Sequence, residues 1–192
     1  MSLPPPAARR PLHKRAITCE GYVRDDGLWD IEAHLIDTKT YAIDEPYRGH
    51  RPAGSHVHEM RLRLTLDADK VVRDIEVTTT HAPYDACFTV APAYKRLIGA
   101  CLSRGWRRAV QEAVGGTAGC THLKELLMPA ATVAFQTMGS WPKDGDVATE
   151  ARPNRDAQKP YFIDGCRAWS SAGPVVERLY PVHFRAADPA DA

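Results

Sequence analysis

HEMRLRLTL, residues 58–66, is the stretch that decides the fold, because its apolar side chains alternate with charged or polar ones. A period of two is typical of a β-strand with one buried and one solvated face. The turn DADK at 67–70 follows, and residues 71–80 then repeat the alternation. The two segments are therefore predicted to pair as an antiparallel hairpin. The side chains expected to face the helices are Met60, Leu62, Leu64, Ile75 and Val77.

Two more strands are predicted upstream of this hairpin, at 16–23 and 28–38. The Asp26-Gly27 pair between them supplies the positive φ that a tight hairpin turn requires. In the second strand, apolar residues from Trp29 to Leu35 again alternate with polar ones. Residues 44–55 contain Gly, Pro and charged residues, which predicts a loop.

Downstream of the hairpin the period changes from two to that of a helix. Apolar residues at 93–102 have helical spacing, and a further helical stretch covers 106–114. A second helix is predicted from Thr121 to Met138, with Pro129 inside it. The glycine-rich residues 115–119 separate the two helices.

The C-terminal quarter is predicted to hold a long surface loop at 139–159 and a final hairpin of residues 161–169 and 175–180. Strands, then helices, then a returning hairpin predict an α+β fold, in which an antiparallel sheet carries helices packed on one face. We expect one domain over residues 14–182. The Pro-rich residues 1–13 and the polar residues 183–192 are expected to be disordered tails.

Composition and charge restrict the classes of partner. Lys plus Arg number 25 and Asp plus Glu number 24 in 192 residues, which gives no electrostatic reason to expect nucleic acid or an anionic membrane. No apolar run approaches the roughly 20 residues of a membrane span, and no secretory signal is visible. The five cysteines are therefore interpreted as reduced thiols of a cytoplasmic protein, without a structural disulfide.

The motif GCTHL at 119–123 is the first candidate for chemistry. Cys120 lies at the start of a predicted helix, where free backbone N–H groups favour a thiolate. His122 follows two residues later. A thiolate beside an imidazole suits zinc, an iron–sulfur cluster or a nucleophilic cysteine. A small buried cysteine and a capping histidine are the structural alternative.

Three further residues are predicted to join Cys120 and His122. Cys87 follows the second strand of the central hairpin, while His56 and His58 stand at the start of the first strand. In an antiparallel hairpin these points lie at the same end of the sheet. His56 and His58 are expected to share the face covered by the helices, because they are two residues apart. Each pattern alone has a structural alternative, namely a buried cysteine or a solvated histidine pair.

Other reactive residues are interpreted as structural. Cys19 and Cys101 are expected in the core, and Cys166 is a weaker candidate for an additional ligand. The remaining histidines are expected on the surface. The acidic run RDDGLWD at 24–30 is read as a turn.

Several of these segments resemble a known bacterial family. RDDGLWD at 24–30, Asp37 and Lys39, HEMRLRL at 58–64, GCTHL at 119–123 and AFQT at 134–137 are similar to an uncharacterised family defined as a domain of unknown function. Its genes are loosely associated with aromatic-compound catabolism. The resemblance implies an accessory role there and no particular activity.

A more distant resemblance covers residues 58–138. The strand pair, Cys87, and the helix LLMPAATVAF that follows Cys120 resemble the IscU/NifU-type iron–sulfur cluster scaffold proteins. The resemblance implies an IscU/NifU-like core with extra N- and C-terminal hairpins, in which Cys87 and Cys120 match two of three cysteine ligands. This chain has histidines near the position of the remaining cysteine, and His122 follows Cys120, whereas the scaffold's histidine precedes its cysteine.

Three functions stay open on the sequence. In the first, Cys87, Cys120, His58 and His122 form a closed site for zinc or an iron–sulfur cluster, with His56 as a further candidate ligand. In the second, three of these residues hold a metal with an open position for water, and Glu59 or Asp85 acts as a base. In the third, the domain holds no metal and binds a protein partner through its sheet.

Overall fold

Four long strands form one antiparallel sheet in the computed structural model of the protein, which describes residues 3–139 and 159–186. They are β1 (His13–Val23), β2 (Trp29–Lys39), β5 (His56–Leu66) and β6 (Val72–His81), and they pair in the order β1-β2-β5-β6. Two short strands, β3 (Ile43–Glu45) and β4 (Gly49–Arg51), pair separately within the expected loop. The predicted α+β class and antiparallel sheet are confirmed.

The central hairpin forms as its alternation predicts. β5 pairs antiparallel with β6, and Leu62 lies opposite Val77. One face of the sheet is apolar and buried, because every second residue along β2 and β5 packs into the core. Val77 is only half-buried but packs against the same core. The fully or almost fully buried residues of this face are Ile31, Ala33, Leu35, Met60, Leu62, Leu64, Leu66, Val72 and Ile75.

The long helix α3 (Thr121–Gly139) lies along β1. Arg15 forms an ion pair with Glu125 near the start of the helix, and Gly21 approaches Thr137 near its end. Twelve helical residues and six strand residues both span about 18–20 Å. The helix therefore runs parallel to β1, and its first turn lies at the end of the sheet where β1 begins and β2 ends.

The helix predicted over 93–102 is wrong beyond its first turn. α1 covers only Ala91–Tyr94 and continues as a 3-10 turn to Leu97. Gly99 then adopts a φ of 89°, a left-handed conformation that ends helical structure. Backbone hydrogen bonds from Gly99 to Val72 and from Val72 to Ala100 replace the helical bonds. The helix predicted over 106–114 is present as α2 (Trp106–Val114).

The C-terminal hairpin is also wrong. The segment contains a 3-10 turn at Arg167–Trp169 and the short helix α4 (Pro174–Leu179). Pro174 fits the first helical turn, where no backbone donor is needed. Val176 and Tyr180 stand four residues apart and pack with Ile163 into a small core of their own. Their helical spacing outweighs the β-branched residues that suggested a strand.

The chain divides into two compact units, residues 1–138 and 139–192. The single domain expected over 14–182 stays a prediction. The loop predicted at 139–159 falls outside the described residues except at its two ends, as does most of the tail predicted from residue 183. In the described ranges 3–139 and 159–186, no helix has both the length and the apolar character of a membrane span.

The contact between β1 and α3 predicts that Gly21→Ala destabilises the protein. An added Cβ would stand 2.0 Å from Thr137 Oγ1, so the helix or the strand must shift. We expect a loss of about 1–3 kcal/mol in the free energy of unfolding, measured by urea denaturation. Gly139→Ala is the matched control, because a Cβ there meets nothing within 4 Å. Equal stability of the two variants would contradict this packing.

Candidate functional site

Asp37 is the centre of a polar group at the end of β2. Arg15 lies opposite Asp37 on the neighbouring strand β1. Its guanidinium donates from Nε to Asp37 Oδ1 at 2.8 Å and from Nη2 to Asp37 Oδ2 at 2.7 Å. The Asp37 side chain is only 1% exposed, since it lies on the helix-covered face beyond Leu35. Burial alone would raise the pKa of this carboxyl, but the adjacent guanidinium lowers the pKa below its ordinary value. Asp37 is therefore ionised at neutral pH.

Two histidines converge on this carboxylate from β5 and α3. His58 Nδ1 lies 3.0 Å from Asp37 Oδ2, and His122 Nε2 lies 3.9 Å from the same oxygen. The two imidazole rings stack with their centroids 3.8 Å apart. Ligand atoms of the three residues all lie within 4.8 Å of one another. His13 adds a more exposed imidazole 3.4 Å from Oδ1. Asp37, His58 and His122 are named the Asp37 group below.

Both imidazoles of this group are uncharged at neutral pH. Burial, together with the neighbouring His122, lowers the pKa of His58 to about 4. Burial and the nearby Arg15 also lower the pKa of His122. A neutral imidazole keeps a lone pair, which is the form that binds a metal ion. The group thus offers two neutral nitrogen donors and one anionic oxygen donor.

Cys120 lies beside this group, at the entrance to α3. Its Sγ is 3.8 Å from His122 Nδ1 and also 3.8 Å from Met60 Sδ. The buried hydroxyl of Tyr94 accepts a hydrogen bond from the Cys120 backbone N–H at 3.2 Å and donates one to the Cys120 carbonyl at 3.1 Å. Tyr94 therefore fixes the backbone from which Cys120 and His122 project.

Cys87 lies nearby but joins no ligand group among the described residues. It sits in a 3-10 turn, Asp85–Phe88, that docks on β6 through a hydrogen bond from Thr79 Oγ1 to the Cys87 carbonyl. Burial raises the pKa of its thiol, and Cys120 contributes to the rise. The thiol is thus in the same region as Cys120 and in its neutral form. Its role as a ligand stays a prediction.

His56 does not share the face of His58, so that expectation is wrong. The pairing of β2 with β5 shifts between Asp37 and Thr38, so that Asp37 faces His58 while Thr38 faces His56. A β-bulge of this kind inserts one residue, here Val57, and reverses the direction of the side chain before it. His56 therefore points to the open face of the sheet.

On that open face, three imidazoles contact the Glu59 carboxylate. His56 Nδ1 and His81 Nδ1 lie 2.8 and 3.0 Å from Glu59 Oε2, and His34 Nε2 lies 3.1 Å from Oε1. These hydrogen bonds, that of His56 above all, hold the pKa of Glu59 at about 2 against the effect of burial. Glu59, His34, His56 and His81 are named the Glu59 group below.

Sequence reasoning placed neither carboxylate in these groups, and it considered Glu59 only as a possible base beside the metal ligands. A signal for Asp37 was present, because it continues the buried series Ile31, Ala33 and Leu35 and is polar on an apolar face. No comparable signal marked His34 and His81, which were expected to be isolated surface residues. Their approach to Glu59 depends on strand register, which the composition of single strands does not reveal.

The remaining candidates lie elsewhere. Cys166 is exposed and belongs to the second unit, and Cys19 and Cys101 are partly buried. In the run at 24–30, Asp26 binds Arg24 and accepts the Leu28 backbone N–H, as a turn requires. All five cysteines are free thiols in the structure.

The double contact of Tyr94 predicts that Tyr94→Phe destabilises the protein by about 1–3 kcal/mol, because the buried Cys120 amide loses its acceptor. Tyr47→Phe is the control, since Tyr47 is 72% exposed. Urea denaturation measures both. Amide hydrogen exchange at residues 119–123 should rise in Tyr94→Phe alone. Unchanged exchange there would show that Tyr94 does not hold the start of α3.

Comparison with known proteins identifies the family of the first unit. No curated protein and no solved structure matches the chain. One family model does match, over residues 13–136, and its description is "Protein of unknown function (DUF2889)". The match spans β1 to α3 and so includes every residue of the Asp37 and Glu59 groups. The resemblance to a domain of unknown function is confirmed, and the chain belongs to the DUF2889 family.

Proposed function

We propose that the protein binds a divalent transition-metal ion through the Asp37 group. The observation that carries this proposal is the convergence of two neutral imidazoles on a buried, ionised carboxylate. Zinc binds imidazole nitrogen and carboxylate oxygen at about 2.0–2.2 Å, so two ligands of one ion stand about 3 Å apart. His58 already has that separation from Asp37. His122 reaches it by a movement of less than about 1 Å.

Arg15 and Cys120 act around the ion in this arrangement. Arg15 holds Asp37 in place, as outer hydrogen-bond partners do for ligating carboxylates. If His122 binds through Nε2, its Nδ1 faces the Cys120 thiol at 3.8 Å. Cys120 then orients His122 and stands beside the ion. The closed set of Cys87, Cys120, His58 and His122 stays a prediction, and it would require both thiols to take the place of Asp37.

Zinc is the proposed ion, because nitrogen and oxygen donors dominate the group. An iron–sulfur cluster prefers thiolates, and Cys87 and Cys120 would have to supply them. Features that support the IscU/NifU-like core are the β5–β6 hairpin, Cys87 after it, and Cys120 at the start of α3. Pro129 within α3 argues against a cluster scaffold, as does the place of Cys19, which lies opposite Ala33 and four residues along β2 from Asp37.

A small metal-dependent enzyme is the second candidate. Three protein ligands leave a coordination position for water, which a catalytic zinc site requires. The expected bases do not support it at this site. Glu59 points to the opposite face of the sheet, and Asp85 is exposed and paired with Arg48. A metal-free domain that binds a protein partner stays the third alternative.

The proposal is tested by titrating chelator-treated protein with Zn²⁺ and Co²⁺. His58→Gln/His122→Gln should bind one ion fewer per chain than the parent, because two of three ligands are lost. His50→Gln is the control, since His50 is exposed and its ion pair among the described residues is with exposed Asp44. Calorimetry gives the stoichiometry, and thermal unfolding in chelator checks the fold. An unchanged number of ions in the double variant would exclude the Asp37 group.

The role of Cys120 is tested separately. Cys120→Ser should weaken metal binding about 10–100-fold, the usual effect of removing an outer-shell partner. Cys166→Ser should have no effect, because Cys166 is exposed and joins no ligand group among the described residues. The parent's Co²⁺ complex should lack the intense near-ultraviolet band of a thiolate ligand. A strong band that disappears in Cys120→Ser would assign Cys120 as a direct ligand instead.

A further inference from the structure

The open face of the sheet carries a group of side chains that the proposed function does not use. Three strands contribute imidazoles to one carboxylate: His34 comes from β2, His56 precedes Glu59 on β5, and His81 ends β6. The Glu59 side chain is 12% exposed, while the imidazoles range from 24% to 44%. The group is therefore anchored at its carboxylate and accessible at its histidines.

Two β-bulges create this arrangement. The first, opposite Asp37 and Thr38, turns His56 to the open face. The second lies between Glu59 and Met60, where Met60 pairs with Thr79 but Glu59 pairs with His81. Regular pairing would place Thr80 opposite Glu59 and direct His81 to the helix-covered face. Bulges are frequent next to functional sites, where they redirect side chains. Here both of them bring a histidine to the same carboxylate oxygen.

We propose that His56, Glu59 and His81 form a second site for a divalent transition-metal ion, with His34 as a further ligand. One ligand atom from each of the first three residues lies within 4.8 Å of the others. The separations of 2.8 and 3.0 Å from Glu59 Oε2 are close to the spacing of about 3 Å between two ligands of one ion.

The partners of Glu59 distinguish this site from a structural ion pair. At Asp37 a guanidinium occupies both carboxylate oxygens, whereas the described guanidinium nearest to Glu59, that of Arg61, stands 3.5 Å away on a side chain 59% exposed. Imidazoles provide the other contacts to Glu59 that the structure describes. Imidazole binds transition metals more readily than other side chains do. The donor set of three nitrogens and one carboxylate fits Zn²⁺, Fe²⁺, Mn²⁺ or Co²⁺.

The site borders a cleft that could admit a small molecule. The cleft has a volume of about 310 Å³ on the open face, and both His34 and Arg61 line it. The rest of the wall is polar and charged, formed by Thr18, Glu20, Glu32, Arg63, Glu76 and Thr78 beside the backbone of the strands.

The test uses the 192-residue chain stripped of metal and titrated with Co²⁺ and Zn²⁺. The parent should bind two ions per chain, one in each group. His56→Gln/His81→Gln should lose one ion and keep the ion that His58→Gln/His122→Gln loses. Glu59→Gln, which keeps the size of the side chain, should weaken the same ion by more than the roughly 10–100-fold typical of an outer-shell change. His50→Gln again serves as the control.

A second measurement needs no variant. Diethyl pyrocarbonate modifies accessible neutral imidazoles, and peptide mapping by mass spectrometry locates the products. Zn²⁺ should protect His56 and His81 at least tenfold, and His50 not at all. Protection at these positions supports the site even if a variant fails to fold.

Equal modification with and without Zn²⁺, or two ions retained by folded His56→Gln/His81→Gln, would overturn it. Loss of an ion only in His58→Gln/His122→Gln would uphold the Asp37 group and overturn this site.

Discussion

The Asp37 carboxylate must remain paired with Arg15, because a charge that is 99% excluded from solvent is costly without a partner. This ion pair joins β1 to β2 in register, and Arg15 also forms an ion pair with Glu125 on α3. The pair therefore fixes where the first turn of α3 lies against the sheet. Cys120 and His122, five and three residues before Glu125, take their positions from this contact. His58 completes the arrangement through its own hydrogen bond to Asp37.

The two polar groups occupy opposite faces of the same end of the sheet, and adjacent residues of β5 serve them. His58 points to the helix-covered face, while Glu59 points to the open one. Six of the eight histidines in the chain contact one of two carboxylates: His13, His58 and His122 at Asp37, and His34, His56 and His81 at Glu59. The distribution follows from strand pairing rather than from any local motif. Apart from His56, these histidines lie 21 to 85 residues along the chain from the carboxylate that they contact.

Alternation along β2, β5 and β6 was sufficient to predict the sheet, because each strand has one buried face. The same reasoning predicted that Cys120, His122 and His58 lie at one end of that sheet, and the structure places them together. The prediction that His56 shares the helix-covered face with His58 was wrong, because a β-bulge depends on strand pairing and does not alter the residue pattern of one strand. The helix at 93–102 and the C-terminal hairpin failed for a related reason. Gly99 and Pro174 act through backbone conformation, which outweighs side-chain periodicity.

The Asp37 group and the Glu59 group differ in the charged side chains that surround their carboxylates. Arg15 balances the charge of Asp37 through two hydrogen bonds, whereas the Arg61 guanidinium that contacts Glu59 is exposed and makes one contact at 3.5 Å. Two unit charges about 4 Å apart interact by about 4 kcal/mol at an effective dielectric constant of 20. The guanidinium of Arg15 therefore opposes a cation at Asp37 while it keeps that carboxylate ionised. Hydrophobic residues of similar size in place of the buried Asp37–Arg15 pair would stabilise this end of the sheet equally well. The histidines add what those residues lack, which is a set of imidazole nitrogens aimed at an anionic oxygen on each face.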